Sequence, residues 1–457
     1  MTRARHSARR ARRRGDYLSH VGVTAATSIA ATGLAAAGGL LLARYLGPSG
    51  RGTFAVITSY MMAAMTIGEC GLTTAICYTV ARNRAGARDA VRTGGAMLVL
   101  LGIIAGAAGV AAAPLVVHDP ESVTAFRAVF AAQPLLFGTA AWLFALQATR
   151  IGSWNLVRAL QPAGFTIAVV ALALAHLLTV ERAVLCLVGS LVLQAVVAAA
   201  TCRVAVPGRG RFRRSMARDL ARYAGPTTLS SVPYLLNAKL DVLLLGVLVQ
   251  PAQVGHYAVA IAMSVLPQPV CSAFGNVAMP RLAAGRAAVA NGSASVADRR
   301  VVLAAVGASL ATGVVCMGAL SAIAPLAVRG LLGPGYAPSV GLFWLLAPGG
   351  AVLGCNRAMD DVLRGLGLTL TVARCEWVGT VLTVVLLATL VPTIGVAGAA
   401  AASTVAYGVT FVLLLRAALR AVGLPARSLP AWLRRVAGRG RRDWLAVPSG
   451  SRRGNAA

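Results

Sequence analysis

The sequence predicts an all-α polytopic membrane protein with about twelve transmembrane helices in two six-helix lobes, related as a parallel pseudo-repeat. Three observations predict this. The composition is 58% hydrophobic and only 12% charged, with a mean hydropathy of +0.74. Apolar runs of about 20 residues, enough to cross a hydrocarbon layer roughly 30 Å thick, recur along the whole chain. Finally, one stretch occurs twice, 203 positions apart: LLARYLGPSGRGTFAV at 41–56 and LLGVLVQPAQVGHYAV at 244–259. Pro48 falls on Pro251, Gly52 on Gly255, Phe54 on Tyr257, and Ala55–Val56 on Ala258–Val259. Such internal similarity in a membrane chain marks a transporter built from two related halves.

In chain order the spans read as 21–43, 54–79, 94–117, 125–147, 156–178, 183–202, 224–249, 255–279, 301–326, 338–358, 366–390 and 394–415. Each must be helical, because an open strand in lipid leaves its amides unpaired. Both copies of the repeat read as polar turns between apolar blocks. The segment 203–222, rich in Arg with Pro207, Gly208 and Gly210, divides six spans from six. An even number of helices per half leaves both halves in the same orientation. The expected organisation is a basic cytoplasmic tail at 1–18, a lobe at 19–203, a basic linker at 204–222, a second lobe at 223–418 and a basic tail at 419–457. Around Ala431–Val436, with Trp432, that tail is expected on the membrane surface. VQPAQ at 249–253 and VPTIG at 391–395 are read as short outer connections.

A formal net charge of +30 raises the question of nucleic acid, but its distribution answers otherwise. Of 43 Lys and Arg, 36 fall in the two tails and the loops on one side of the twelve-helix arrangement. This is the positive-inside pattern, with both termini cytoplasmic and the basic loops against anionic membrane lipids. No nucleic-acid partner is expected. The Arg-rich start reads as a signal anchor, since the apolar block behind it is too long for a cleaved leader. The eight cysteines lie almost all in apolar blocks without metal-ligand spacing and read as small core residues. Of the 43 basic residues 42 are Arg, a GC-rich codon usage that points to a bacterial plasma membrane.

Several stretches, in this order, resemble a known family. LLARYLGPSGRGTFAV closes the first helix. LDVLLLGVLVQPAQVGHYAVA at 240–260 is followed by VAMPRLA at 277–283, GLLGPGYAPSVGLFWLLAPGG at 330–350 and TIGVAGAAAAST at 393–404. Together they resemble bacterial polysaccharide flippases, the Wzx-type branch of the multidrug/oligosaccharidyl-lipid/polysaccharide exporter superfamily, over roughly residues 18–418. The resemblance implies a MATE-like V of two lobes around a central cavity lined by helices one, two, seven and eight. It implies as cargo a lipid-linked oligosaccharide on polyprenyl pyrophosphate, turned from the inner to the outer leaflet. Partner glycosyltransferases and a polymerase of a polysaccharide pathway follow from the same resemblance. Lipid II flippases usually have fourteen helices, against twelve here, which counts against that cargo.

Charges inside helices are expensive and usually face a cavity or one another. Lys239 lies about 15 residues, roughly 22 Å, along helix seven. Its ammonium is a candidate point charge for a pyrophosphate or acidic sugar; the other reading is a structural partner of Asp241. Asp241 matches the family's aspartate and is a candidate counter-charge or coupling-ion site. Asn237, four positions before it, shares its face. Glu69, in helix two, is a candidate carrier of a coupling proton or simply a hydrogen-bonded acid. Gln268 and Asn276 in helix eight are sugar-binding candidates, with Pro267 and Pro269 expected to break that helix. Arg374 and Glu376 in helix eleven read as a pair within one lobe. Arg158 and Arg357 read as snorkelling at cytoplasmic helix ends.

The chain has no phosphate-binding glycine-lysine loop, no Ser/His/Asp grouping and no metal cluster. Neither an enzyme nor an ATP-driven pump is expected, and no cofactor; a proton or sodium gradient is the expected drive. A lipid II flippase and a drug/cation antiporter of the same superfamily are the alternatives, and the helix-seven lysine argues against the antiporter. A membrane-embedded glycosyltransferase or ligase would need a sizeable outer domain that the short connections do not provide. The topology carries a direct test: a reporter active only outside the cell, fused after Ala457, should be silent, and activity there contradicts the twelve-helix arrangement.

Overall fold

A computed structural model describes residues 2–117, 119–237, 239–288 and 296–423. These residues are helical, without strands among them, in fourteen α-helices: α1 (Thr2–Gly68), α2 (Leu72–Arg82), α3 (Ala87–Val116), α4 (Pro120–Ala131), α5 (Gln133–Thr149), α6 (Ile151–Leu174), α7 (Val180–Ala205), α8 (Arg214–Asn237), α9 (Leu240–Leu248), α10 (Pro251–Ser264), α11 (Gln268–Ala288), α12 (Val296–Leu332), α13 (Ala337–Gly365) and α14 (Thr369–Ala421). Dividing α1 and α14 at their kinks, and joining the second limb of α1 to α2, α4 to α5, α8 to α9 and α10 to α11, gives twelve passes across a membrane. The surface-lying segment expected near Trp432 falls outside the described residues.

Two of the expected turns are not loops. The first two passes meet at one residue, Gly47, whose φ of 69° and ψ of −179° reverse an otherwise continuous helix. Only glycine takes this conformation without a Cβ penalty. Pro48 follows as the first residue of the new helix, where a missing N–H costs nothing. VPTIG is likewise a kink inside α14, made by Ile394 and Gly395 (φ 60°). The second copy of the repeat does have a short break, with Val249 and Gln250 extended, and Pro251 begins α10 as Pro48 begins its helix. Elsewhere ordinary caps set the starts. Asp119 accepts from the Ser122 N–H ahead of Pro120 in α4, and the Thr179 hydroxyl accepts from the Arg182 N–H in α7.

Packing explains why the two halves form a V. One hydrophobic core, at the arginine-poor end of the bundle, draws on both halves: Leu42, Phe54 and Ile57 from the first, Tyr257, Tyr336 and Phe343 from the second. At the arginine-rich end the cores are separate. One is built from Ile76, Leu98, Phe137 and Leu146, the other from Leu282, Met359, Leu363 and Leu414. The halves are thus joined at one end and independent at the other. Residues 32–37 of the first pass are exposed, as they must be where the halves part. Outward faces carry bare apolar side chains such as Leu115, Ile167, Leu326 and Leu370, the surface that lipid covers.

The joint itself is a backbone-to-backbone seam. A Cβ placed on Gly52 would overlap the carbonyl of Pro251, and a Cβ on Gly255 would overlap the carbonyl of Pro48. Each repeat copy therefore seats its glycine on the proline of the other. A contact in which residue i meets j while j's equivalent meets i's is the mark of a two-fold axis. Here the axis runs along the bundle, the relation expected of parallel repeats. Around the seam the Tyr336 hydroxyl donates to the Ala43 carbonyl (2.8 Å), Arg44 Nη1 to Leu331 O (3.2 Å) and the Tyr60 hydroxyl to Leu243 O (3.0 Å).

At the arginine-rich end the basic linker folds onto the first half. Asp89 accepts from the Arg211 N–H (2.8 Å) and pairs with Arg213 Nε (2.6 Å), and Arg88 Nη1 donates to Val206 O (3.0 Å). Leu220 and Ala224 of α8 lie in the core of that half, and Tyr223 stacks on Tyr78 of α2 with centroids 4.5 Å apart. The first turns of α8 therefore pack with the half that precedes them.

The seam makes a prediction. In a cysteine-free background, a cysteine at Ala43, which is 1% exposed, should resist a membrane-impermeant maleimide from the outer side. Adding Gly52→Ala or Gly255→Ala should make it reactive, because the new methyl group has no room. Equal protection in all three proteins would contradict the seam as the closure.

Candidate functional site

Just below the seam, polar groups gather where both halves meet. The local cause is a helix break. Span seven stops at Asn237 and restarts at Leu240, with Lys239 between them at φ −136° and ψ −17°. The break frees Lys239 from regular helix geometry. Its carbonyl still accepts from the Leu243 N–H (3.0 Å) to start α9, and its half-buried ammonium lies within electrostatic reach of Asp241 and Arg51.

Asp241 is fully buried and its carboxylate is held by donors. Oδ1 accepts from the Val242 N–H (2.7 Å), and Oδ2 accepts from the Tyr257 hydroxyl on α10 (2.5 Å). Ser403 on the last pass lies 3.4 Å from the same hydroxyl. Asp241 thus ties α9, α10 and α14 together. Lys239 balances it through space, without a direct ion pair among the described residues.

Arg51 completes the group and was not singled out from the sequence, where it counted among the arginines of an outer turn. The structure places it one turn into the second helix, half-buried, with Nη2 3.8 Å from the position of a Cβ on Gly39. Its Nε is enclosed and has no hydrogen-bond partner. Its electrostatic neighbours are Lys239 and Tyr336. A signal for this existed: the repeat places Arg51 on Val254, which is 0% exposed.

The other candidates lie apart. Asn237 closes α8, and its side chain is outside the described atoms. Gln268 is half-buried at the start of α11, where the span bends by 41° after Pro267, as the prolines predict. Asn276 is exposed two turns further on. Glu69 sits at a second break, where Cys70 (φ 46°) and Gly71 (φ 68°) interrupt the second span; its carboxylate accepts from the Thr73 hydroxyl (3.1 Å). Arg374 is exposed, and the buried Glu376 faces Arg357 and Arg364 instead of it. Arg357 does not snorkel: it meets the buried Asp360 at 3.4 Å. Arg158 lies over the Trp154 ring, 4.4 Å from its centroid. All eight cysteines are free, and the described residues contain no group of three or more His, Cys, Asp or Glu that could hold a metal ion.

Chemically, the site is cationic. Two positive groups from different halves stand within reach of one another, and the single carboxylate beside them is engaged by a tyrosine and a backbone amide. Like charges held together in a partly desolvated place are costly unless an anion joins them.

Comparison with known proteins places this geometry in context. The family model described as polysaccharide biosynthesis protein matches residues 18–285. Among curated protein sequences none matches. A lipid II flippase, MurJ, in an inward closed conformation, is similar in structure with a TM-score of 0.72 at 10% identity, covering 92% of this chain and 94% of its own. An inward-facing multidrug resistance MATE family transporter of the MOP superfamily gives 0.67 at 14% identity, covering 89% and 96%. A MOP superfamily transporter from Pyrococcus furiosus, whose binding pocket is described as of reversed polarity, gives 0.53 at 13% identity, covering 88% and 95%. These structures share the fold of this chain.

The Asp241 network carries a stability prediction. Tyr257→Phe leaves a buried carboxylate short of one donor and should cost about 1–3 kcal/mol. In detergent this reads as a lower midpoint of thermal aggregation. An unchanged midpoint would show that the hydroxyl does not hold Asp241.

Proposed function

The chain belongs to the polysaccharide biosynthesis protein family, and on that premise we propose that it is a flippase. In this reading it moves a polyprenyl-pyrophosphate-linked oligosaccharide from the inner to the outer leaflet for cell-surface polysaccharide assembly. The observation that carries the reading is the pair of cations, Arg51 and Lys239, brought from separate halves to the closed end of the V without an ion-pair partner among the described residues.

The positive-inside count puts the open end of the V at the cytoplasm and the seam at the outer face. The head group then enters between the separate cores while its lipid tail stays in the bilayer. A pyrophosphate that reaches the apex meets both cations and relieves their mutual repulsion. Arg51 offers a planar fork of donors and Lys239 a compact charge. Lys239 is free to respond because it stands at a helix break. Loss of the repulsion lets the halves rearrange about the seam, which opens the outer side and closes the inner, as alternating access requires. Asp241 serves as the fixed counter-charge that keeps the empty site tolerable. Gln268 and Asn276, on the bent eighth span, remain candidates for sugar hydroxyls. Glycosyltransferases that build the oligosaccharide and a polymerase that consumes it are the implied partners.

A drug/cation antiporter of the same fold would need excess negative charge at this place, the opposite of what stands here. A lipid II flippase would share the cationic apex and differ in the sugar it carries.

The test is glycan export in cells, normalised to protein in the membrane. Lys239→Ala and Arg51→Ala should each lower export by roughly tenfold or more, a loss of about 1.4 kcal/mol per decade. Lys239→Arg should retain part of it. Full export from the double variant would show that the cargo's charge is bound elsewhere.

A further inference from the structure

The seventh span belongs to the second half by sequence, yet its lower limb is fastened to the first. The fastening starts at Asp89, in the first turn of α3. Its Oδ1 accepts from the Arg211 N–H (2.8 Å) and its Oδ2 meets Arg213 Nε (2.6 Å). Thr93, one turn further along and fully buried, accepts from the Arg213 N–H (3.1 Å). Gly210 runs so close to α3 that a Cβ there would stand 2.4 Å from the Arg88 carbonyl oxygen, while Arg88 Nη1 reaches back to the Val206 carbonyl (3.0 Å). Only glycine permits that approach. The Arg213 side chain is 62% exposed, and an ion pair open to water contributes little. The hold therefore lies in the two backbone amides, which the path of the chain fixes in place.

Beyond the clasp the attachment continues. A Cβ on Gly94 of α3 would press on Ile76 of α2 (2.6 Å) and on Leu220 of α8 (3.4 Å), so the three helices meet at that point. The rings of Tyr223 and Tyr78 stack within 14° of parallel. α1, α2 and α3 all touch α8, and beyond α9 its main contact in the second half is α14. Above the break, α9 is held by both halves. Tyr60 of the first donates to the Leu243 carbonyl (3.0 Å), and Gly246 leaves room for Val56, which lies 2.8 Å from where a Cβ would stand. Asp241 accepts from Tyr257 of the second half. α9 thus sits at the pivot, and α8 hangs below it on the side of the first half as a rod of 24 residues, about 36 Å long. Lys239 stands between the two, outside regular helix geometry.

We propose that Asp89 is a positioning residue for transport: its clasp makes the lower limb of the seventh span part of the first half, so that motion between the halves is taken up at the break that carries Lys239. The two cores at the open end share no residue, so the second half can turn there while α8 stays. A hinge is a short run of residues that absorbs a change of φ and ψ, and a break already present in the span is where such a change costs least. Arg51 lies in continuous helix of the first half, so Lys239 is displaced relative to it whenever the halves move. With the clasp undone, the whole span follows the second half and the break is no longer driven. The role in transport rests on the flippase reading; the clasp and the division of the span do not.

Spin labels read the division directly. In a cysteine-free, full-length protein in lipid nanodiscs, Arg218→Cys on α8 is labelled together with Arg92→Cys in the first half or with Arg300→Cys in the second, all three positions being exposed. Distances are measured by pulsed electron spin resonance with and without polyprenyl pyrophosphate. The 92–218 distance should be narrow and unmoved by the addition, and the 218–300 distance broad or shifted by it. Equal behaviour of the two distances, or a shift confined to 92–218, overturns the proposal without any substitution at Asp89. Asp89→Ala should broaden the 92–218 distance and lose most glycan export per protein in the membrane. Asp89→Asn, which still accepts from the Arg211 N–H, should keep most of both. A narrow 92–218 distance or full export in Asp89→Ala also overturns it. If the distances behave as expected while Lys239→Ala and Arg51→Ala export freely, the clasp stands and the cargo site falls.

Discussion

The close approach of two backbones at Gly52 and Gly255 is the constraint on which the rest depends. Each glycine accepts the carbonyl of the other copy's proline where a methyl group could not fit. In a membrane, where lipid chains are as apolar as leucine, helices associate through such close packing more than through a hydrophobic drive. The seam fixes the two-fold relation of the halves, gathers one shared core at one end and leaves two separate cores at the other. A V is the consequence. Because the seam lies at the first turn of two equivalent helices, a small rotation there becomes a large displacement at the far end.

Within this symmetry the halves have diverged in polarity. The repeat places Asp241 on Gly38 and Tyr257 on Phe54. In the first half Phe54 stacks on Phe165 at 5.8 Å, and Gly38 lies against Thr166 and Phe165, so the pair is nearly apolar. In the second half the same two positions form a buried carboxylate–hydroxyl hydrogen bond. Lys239 similarly falls on Ala36, and Arg51 on the buried Val254. Each half therefore contributes one cation to the apex, from non-equivalent positions, and among the described residues the buried carboxylates Asp241, Asp360 and Glu376 all lie in the second half.

The helical architecture, the repeat and the broken eighth span were legible in the sequence, because apolar length, periodicity and proline position act locally. The turn at Gly47 was not, since a single left-handed glycine between two helices leaves the same residues as a polar loop would. Arg51 was hidden for a related reason: with a loop assumed at 44–53, its helical phase could not be assigned. The orientation of Glu376 toward Arg357 and Arg364 was masked by Arg374, which is nearer in sequence but faces outward. A Glu two residues from an Arg in a helix does not face it, and that spacing was the available warning. The Asp89 latch on the linker joins groups more than a hundred residues apart and leaves no local trace.

The central claim is that an anionic head group is received between two cations drawn from separate halves. The most direct measurement is a high-resolution structure of the full chain with polyprenyl pyrophosphate in lipid nanodiscs. The account predicts pyrophosphate density between the Arg51 guanidinium and the Lys239 ammonium, on the inner side of the Gly52–Gly255 seam. Density for the pyrophosphate at another place in the protein, with Arg51 and Lys239 still unpartnered, would contradict it.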